Sequence, residues 1–113
     1  MSQKRFQFDI EKLDVFRVSV EFVRFVRGLE RCFVGDADRK RQLWRAADSI
    51  ALNIAEGAAL GPGNNQRRYY RTALGSASEC VAVLVILEAH GRSLAHGREL
   101  LARIGAMLWR LVR

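Results

Sequence analysis

Two short runs of cations, each at the start of a helix-like stretch, are the residues here whose types and spacing suit chemistry with a partner. Arg39, Lys40 and Arg41 form the first; Arg67, Arg68 and Arg71, interleaved with Tyr69 and Tyr70, form the second. Guanidinium and ammonium groups neutralise phosphates, and aromatic rings among them stack on bases. Cations at a helix start oppose the macrodipole and cost tenths of a kcal/mol to about 1 kcal/mol each, so local stability does not explain them. The whole chain agrees in sign. It carries 19 Lys and Arg against 12 Asp and Glu, a net charge of +7, which suits a polyanion, nucleic acid first. The plainer alternative is a solvated basic end at each helix start. Tyr70 falls on an apolar face, which leaves Tyr69 as the ring free to stack.

Other chemistries lack their residues. A carboxylate-bridged di-iron bundle needs Glu-x-x-His on two helices and a Glu on each of the others. The only histidines are His90 and His96, and neither follows a glutamate by three positions. Gly61-Pro62-Gly63-Asn64-Asn65 has neither the lysine nor the preceding strand of a phosphate loop and is expected to be a turn. Ser49, Ser76 and Ser78 have no histidine at a nearby spacing. Cys32 and Cys80 sit in apolar helical segments without a CxxC pair, which predicts buried, reduced thiols and no zinc. No catalytic residue, metal ligand or cofactor is expected.

The elements that position the cations are helices. Leu43, Ala47, Ile50 and Ile54 recur four, three and four apart, with Ala46, Ala51 and Ala55 beside them and Gly57 as the expected stop. Tyr70, Ala73, Ala77, Cys80 or Val81, Leu84 and Leu87 mark the partner helix, expected from Asn64 or Asn65 to His90-Gly91. The short turn between them forces an antiparallel hairpin. Its register brings Ala46 and Ala47 to Gly75, Ser76 and Ala77, Asn53 near Tyr70, and Glu56 near Arg67 and Arg71. Asn53, Glu56, Ser76 and Glu79 are the polar groups expected at this seam.

Before the hairpin, a first helix is expected from Ile10 to Phe33, with Asp9 as its cap. Asp14, Arg17, Glu21, Arg24, Gly28 and Arg31 form one narrow polar stripe, and almost everything else between Val15 and Phe33 is apolar. That is more apolar surface than a bundle helix needs, so Val18, Phe22 and Phe25 are expected to face another chain. Asp36 or Asp38 is expected to cap the second helix. Ser93 should cap the fourth, whose apolar line is Leu94, Leu101, Ile104, Leu108 and Leu111. Arg31 joins the first cation cluster, and Arg110 and Arg113 the second.

With one proline and 113 residues, the chain reads as a single all-α domain over 1–113: an up-down-up-down antiparallel four-helix bundle. The N-terminal MSQKRFQFDIEK has no apolar core of the length a leader requires, and no run approaches the roughly 18 apolar residues of a membrane span, so the expectation is a cytoplasmic protein without a membrane partner.

Arg45-Ala46, Ser49-Ile50, Asn53-Ile54-Ala55-Glu56-Gly57, then Tyr70 and Gly75-Ser76 with Glu79, resemble the pattern of the small bacterial four-helix bundle proteins. Members of that family are encoded in intervening sequences of large-subunit ribosomal RNA genes. The resemblance spans nearly the whole chain, since Phe8 to Phe16 also fits the family's first helix. It departs at Ala58-Ala59-Leu60, where a basic residue is usual, and at Arg92, where an aromatic is common. The resemblance implies a homo-oligomer, a ring of five. It also implies similarity to the accessory protein of diversity-generating retroelements, which works with a reverse transcriptase and nucleic acid. Two functions follow as expectations. One is a non-enzymatic accessory protein binding RNA or single-stranded DNA through Arg39, Lys40, Arg41, Arg67, Arg68 and Arg71. The other is a structural or protein-interaction scaffold whose charge keeps it soluble.

Overall fold

The computed structural model describes Phe8, Ile10 and residues 13–113. Among these are four α-helices and one 3-10 turn: α1 (Asp14–Arg27), the turn Glu30–Phe33, α2 (Ala37–Leu60), α3 (Asn64–Ala89) and α4 (Ala95–Val112). The helices pack in cyclic order, α1 on α2, α2 on α3, α3 on α4 and α4 back on α1. Chain neighbours run antiparallel, so this is the expected all-α four-helix bundle.

The α2–α3 seam holds the closest approach. Ala46, Ala47, Ala73 and Ala77 are buried along it, and small residues on both sides let the backbones come together. The Ser49 and Ser76 hydroxyls share a 2.8 Å hydrogen bond, and Asn53 Nδ2 donates to the Ser49 carbonyl at 2.9 Å and to its Oγ at 3.1 Å. Gln42 Nε2 reaches Glu79 Oε1 at 3.5 Å toward one end. The register is therefore the expected one, but Asn53 bonds Ser49 rather than approaching Tyr70 through a polar contact. Ser49 is the polar group that the sequence pattern hid.

Gly57 does not stop α2. It is buried where Tyr70 crosses: a Cβ built there would lie 2.7 Å from Tyr70 Cε1, and Gln66 Nε2 donates to the Gly57 carbonyl at 3.0 Å. The helix runs on to Leu60 and ends at Gly61, whose φ of +73° is the left-handed value that glycine tolerates. Gly57 is a close-packing glycine.

The first helix is shorter than its pattern. It ends at Arg27, where Gly28 N–H bonds both Arg24 O at 3.2 Å and Phe25 O at 3.1 Å. The chain then tightens into the 3-10 turn, which carries Phe33 back into the core. Asp9, the expected cap, lies outside the described residues; Leu13 holds the cap position and makes no side-chain cap bond. Val18 and Phe22 do not face another chain as expected. They are 4% and 0% exposed inside their own bundle, with Val15, Ser19 and Val26. Phe25 lies on α4, its ring 5.8 Å from that of His96 and against Gly97. What α1 leaves half-exposed is Phe16, Val20 and Val23.

Asp36 caps α2 by accepting from Arg39 N–H at 3.2 Å. Ser93 caps nothing: α4 starts after Leu94, which is buried. The line of Leu101, Ile104 and Leu108 continues four residues on to buried Val112, leaving Leu111 exposed. Averaged over 18 residues, α3 reaches a mean hydropathy of 1.6, enough by length and composition to cross a membrane, although no continuous apolar run does so.

Gly57→Leu and Ala47→Leu overpack the seam and should each lower stability by about 1–3 kcal/mol, read as a fall in the denaturant midpoint; an unchanged midpoint in both would refute the close contact. Burial pushes the Cys80 thiol up to about 12, aided by the Glu79 charge, so its thiolate is scarce at neutral pH. Half-exposed Cys32 should therefore react first with an aromatic disulfide reagent, and Cys80 only on unfolding.

Candidate nucleic-acid interface

Antiparallel packing puts the starts of α1 and α3 with the ends of α2 and α4 at one end of the bundle. The start of α2 lies at the other end, beside the 3-10 turn. The two cation clusters are thus separated by the bundle's length, and their surroundings differ.

At the α2 start, Arg39, Lys40 and Arg41 each have a carboxylate, whereas Arg31, grouped with them by sequence, is exposed and has no ion pair among the described residues. Arg39 Nε lies 3.4 Å from Asp36 Oδ2, Lys40 Nζ 2.8 Å from Glu30 Oε2, and Arg41 pairs with Asp38. Lys40 Nζ also sits 4.6 Å from the centroid of the Trp44 ring, over which Arg27 Cζ lies at 3.9 Å. Arg27 in turn meets Asp48 at 3.5 Å. Exposed pairs of this kind contribute little to stability, typically below about 1 kcal/mol. Their effect is to cancel charge locally and to tie the 3-10 turn and the end of α1 to α2. Asp36–Arg39 and Asp38–Arg41 are three apart and visible in the sequence; Glu30–Lys40 needs the turn.

The α3 start is different. Arg67 bonds the Asn64 side chain, Arg68 Cζ lies 5.6 Å from the centroid of Tyr69, and Arg71 Nη2 donates to the Val112 carbonyl at 3.3 Å. Among the described residues none of these three has an acidic partner, and Glu56, expected beside Arg67 and Arg71, pairs with neither. Gly63 at the cap position supplies no side chain, so the first-turn N–H groups of α3 carry no side-chain cap. Those groups and the macrodipole add positive potential where the guanidiniums already stand.

Two aromatics border this end in different states. Tyr70 is 3% exposed, and burial pushes its phenol above the usual range, so it is a neutral core residue. Trp109, near the end of α4, is 57% exposed; the sequence pattern did not single it out, because an apolar residue in an apolar helix reads as core. Arg110 lines a cleft against α1 with Asp14, Arg17, Glu21 and Arg103. Arg113 is exposed at the same end as the α3 cluster. Among the described residues no three His, Cys, Asp or Glu come together where they could hold a metal ion.

No curated protein matches the chain. The family model described as 23S rRNA-intervening sequence protein matches residues 11–108, from just before α1 to within the last turns of α4. With that match covering the entire hairpin, α1 and most of α4, the chain belongs to the 23S rRNA-intervening sequence protein family.

Proposed function

We propose that this protein is a non-enzymatic accessory factor of the cytoplasm that binds RNA or single-stranded DNA through the end of the bundle where α3 begins. The observation that carries this reading is the contrast between the two clusters. Arg39, Lys40 and Arg41 are matched by acids, whereas Arg67, Arg68 and Arg71 stand unmatched among the described residues, at an uncapped helix start. The family's name supports an association with ribosomal RNA. A reverse transcriptase is the other candidate companion, on the resemblance to retroelement accessory proteins.

Phosphate oxygens meet Arg67, Arg68 and the first-turn N–H groups of α3, and Tyr69 offers a ring for an unpaired base. Such contacts read charge rather than sequence. Binding is weak for one copy and adds up when several copies present the same end, as in a homo-oligomer such as a pentamer. The second reading, a scaffold, is favoured by the exposed apolar residues Leu52, Val85, Ile86 and Trp109.

The test is affinity for a structured RNA and for a single-stranded DNA across a salt series. Binding should fall steeply with salt because counterions are released. Arg67→Glu with Arg68→Glu should weaken it and flatten the salt slope by about 1 for each phosphate that is no longer neutralised. Arg39→Glu with Arg41→Glu should do much less. Salt-insensitive or absent binding, or indifference to the α3 reversal, hands the protein to the scaffold reading.

A further inference from the structure

The chain's two tryptophans stand in opposite situations. Trp44 has Arg27 and Lys40 over its ring, 3.9 and 4.6 Å from the centroid. Trp109 is 57% exposed, and among the described residues no second ring or cation lies over it. An indole left in solvent gives up one of the largest apolar burials a side chain can offer. The α4 core beside it is already filled by Ile104, Leu108 and Val112 and does not use it.

The position of Trp109 on α4 follows from what the two edges of that helix meet. Arg98 pairs with Glu88 of α3, and Gly105 and Trp109 lie seven and eleven residues further on, along the same edge. Arg103, Met107 and Arg110 occupy the other edge and line the cleft against α1. Trp109 therefore borders the groove between α3 and α4. Across the antiparallel pair, Arg71 donates to the Val112 carbonyl, three residues beyond Trp109, and Gly75 follows Arg71 by one turn. The groove is open at this level: a Cβ added at Gly75 or Gly105 would meet nothing within 4 Å among the described residues.

Charge says what fits there. Residues 57–78 and 100–113, which build this end, contain Arg67, Arg68, Arg71, Arg103, Arg110 and Arg113 and not one Asp or Glu. Arg103 and Arg110 line the α1 cleft with Asp14 and Glu21, whereas Arg68, Arg71 and Arg113 are exposed. An apolar protein partner would gain one ring and bury guanidiniums without a counter-charge, an unfavourable exchange. A duplex would give the guanidiniums phosphates but keep its bases stacked away from the indole. An unpaired nucleotide supplies both, a base for the ring and phosphates for the cations beside it. Tyr69, the other ring near this end, is half-buried and has Arg68 5.6 Å from its centroid, so Trp109 is the larger and more open platform.

Resting on the reading of the α3 start as a nucleic-acid site, we infer that its ligand is an unpaired strand, one base of which stacks on Trp109 in the α3–α4 groove while Arg71 and Arg113 hold the flanking phosphates. Gly75 keeps clear the space that the base enters. Stacking displaces no counterions, so the ring adds affinity without steepening the salt dependence. It also sets a preference for single strands over a duplex of the same sequence.

The test measures affinity of the full chain, across a salt series, for an RNA strand, the DNA strand of the same sequence, the DNA duplex and a DNA strand with abasic sites. The RNA and DNA arms show which strand this end takes. Trp109→Ala should weaken single-strand binding roughly tenfold, leave the salt slope unchanged, and leave the duplex and the abasic strand as in the parent. Trp109→Phe should recover part of the loss. Gly75→Leu, which fills the space beside the indole, should weaken single strands as well, at an unlowered melting temperature. Single-strand binding should quench indole emission in the parent and not in Trp109→Ala, which keeps Trp44. The inference is overturned if the parent binds the duplex as tightly as the single strands, or if Trp109→Ala leaves single-strand affinity unchanged. In either case steep salt dependence that Arg67→Glu with Arg68→Glu removes leaves the nucleic-acid site itself standing; a parent that binds none of the four overturns both. If Trp109→Ala instead lowers the mass measured by light scattering, the ring serves contact between copies and the inference fails.

Discussion

Everything in this bundle hangs on how closely α2 and α3 approach. Gly57 under the Tyr70 ring and the alanines at 46, 47, 73 and 77 remove the side-chain bulk that would hold the helices apart. The Ser49–Ser76 hydrogen bond belongs to this register, and a one-turn slip would break it. With that register set, Arg71 falls beside the end of α4 and Glu88 beside Arg98 near its start. The α4 helix is positioned from the hairpin at both ends, and α1 closes the ring through Phe25 on Gly97.

Electrostatics divides the molecule into a quiet end and an open one. Around the start of α2, carboxylates from the cap, the first turn and the 3-10 turn meet the cations in short contacts, and Trp44 lies beneath two cations, Arg27 and Lys40. At the start of α3, the cations lean on neutral groups: an amide, a phenol ring and a carbonyl. A guanidinium held by a neutral acceptor keeps its full charge for a phosphate. One already paired with a carboxylate must break that pair first. This asymmetry, more than net charge, distinguishes the proposed binding end from the other.

The apolar surface has its own asymmetry. The interior is filled by Phe22, Leu43, Ile50, Ile54, Leu84, Leu100, Ile104 and Leu108, all at or below 1% exposure, and needs nothing more from outside. Yet Leu52, Val85, Ile86 and Trp109 remain in solvent. A chain that satisfies its own core and still keeps Leu52 on α2, Val85 and Ile86 on α3 and Trp109 on α4 in solvent carries more exposed apolar surface than its fold requires.

The sequence by itself determined the helices, their antiparallel order and the α2–α3 register, because apolar residues three and four apart define a face, and short links leave one way to fold it. It also marked both cation clusters. Tertiary structure decided which face is inside. Phe22 and Val18 look like surplus from periodicity alone, but a four-membered ring buries a broader arc of α1 than two neighbours in a line would. It decided that Gly57 is a contact rather than a stop, since the two roles differ only in what crosses above the residue. It also decided which cations meet an acid: Glu30 reaches Lys40 only across the 3-10 turn, and Glu56 misses Arg67 and Arg71 although the register places them together. Periodicity assigns a residue to a face; a partner's distance across helices depends on side-chain reach, which exists only once the helices are packed.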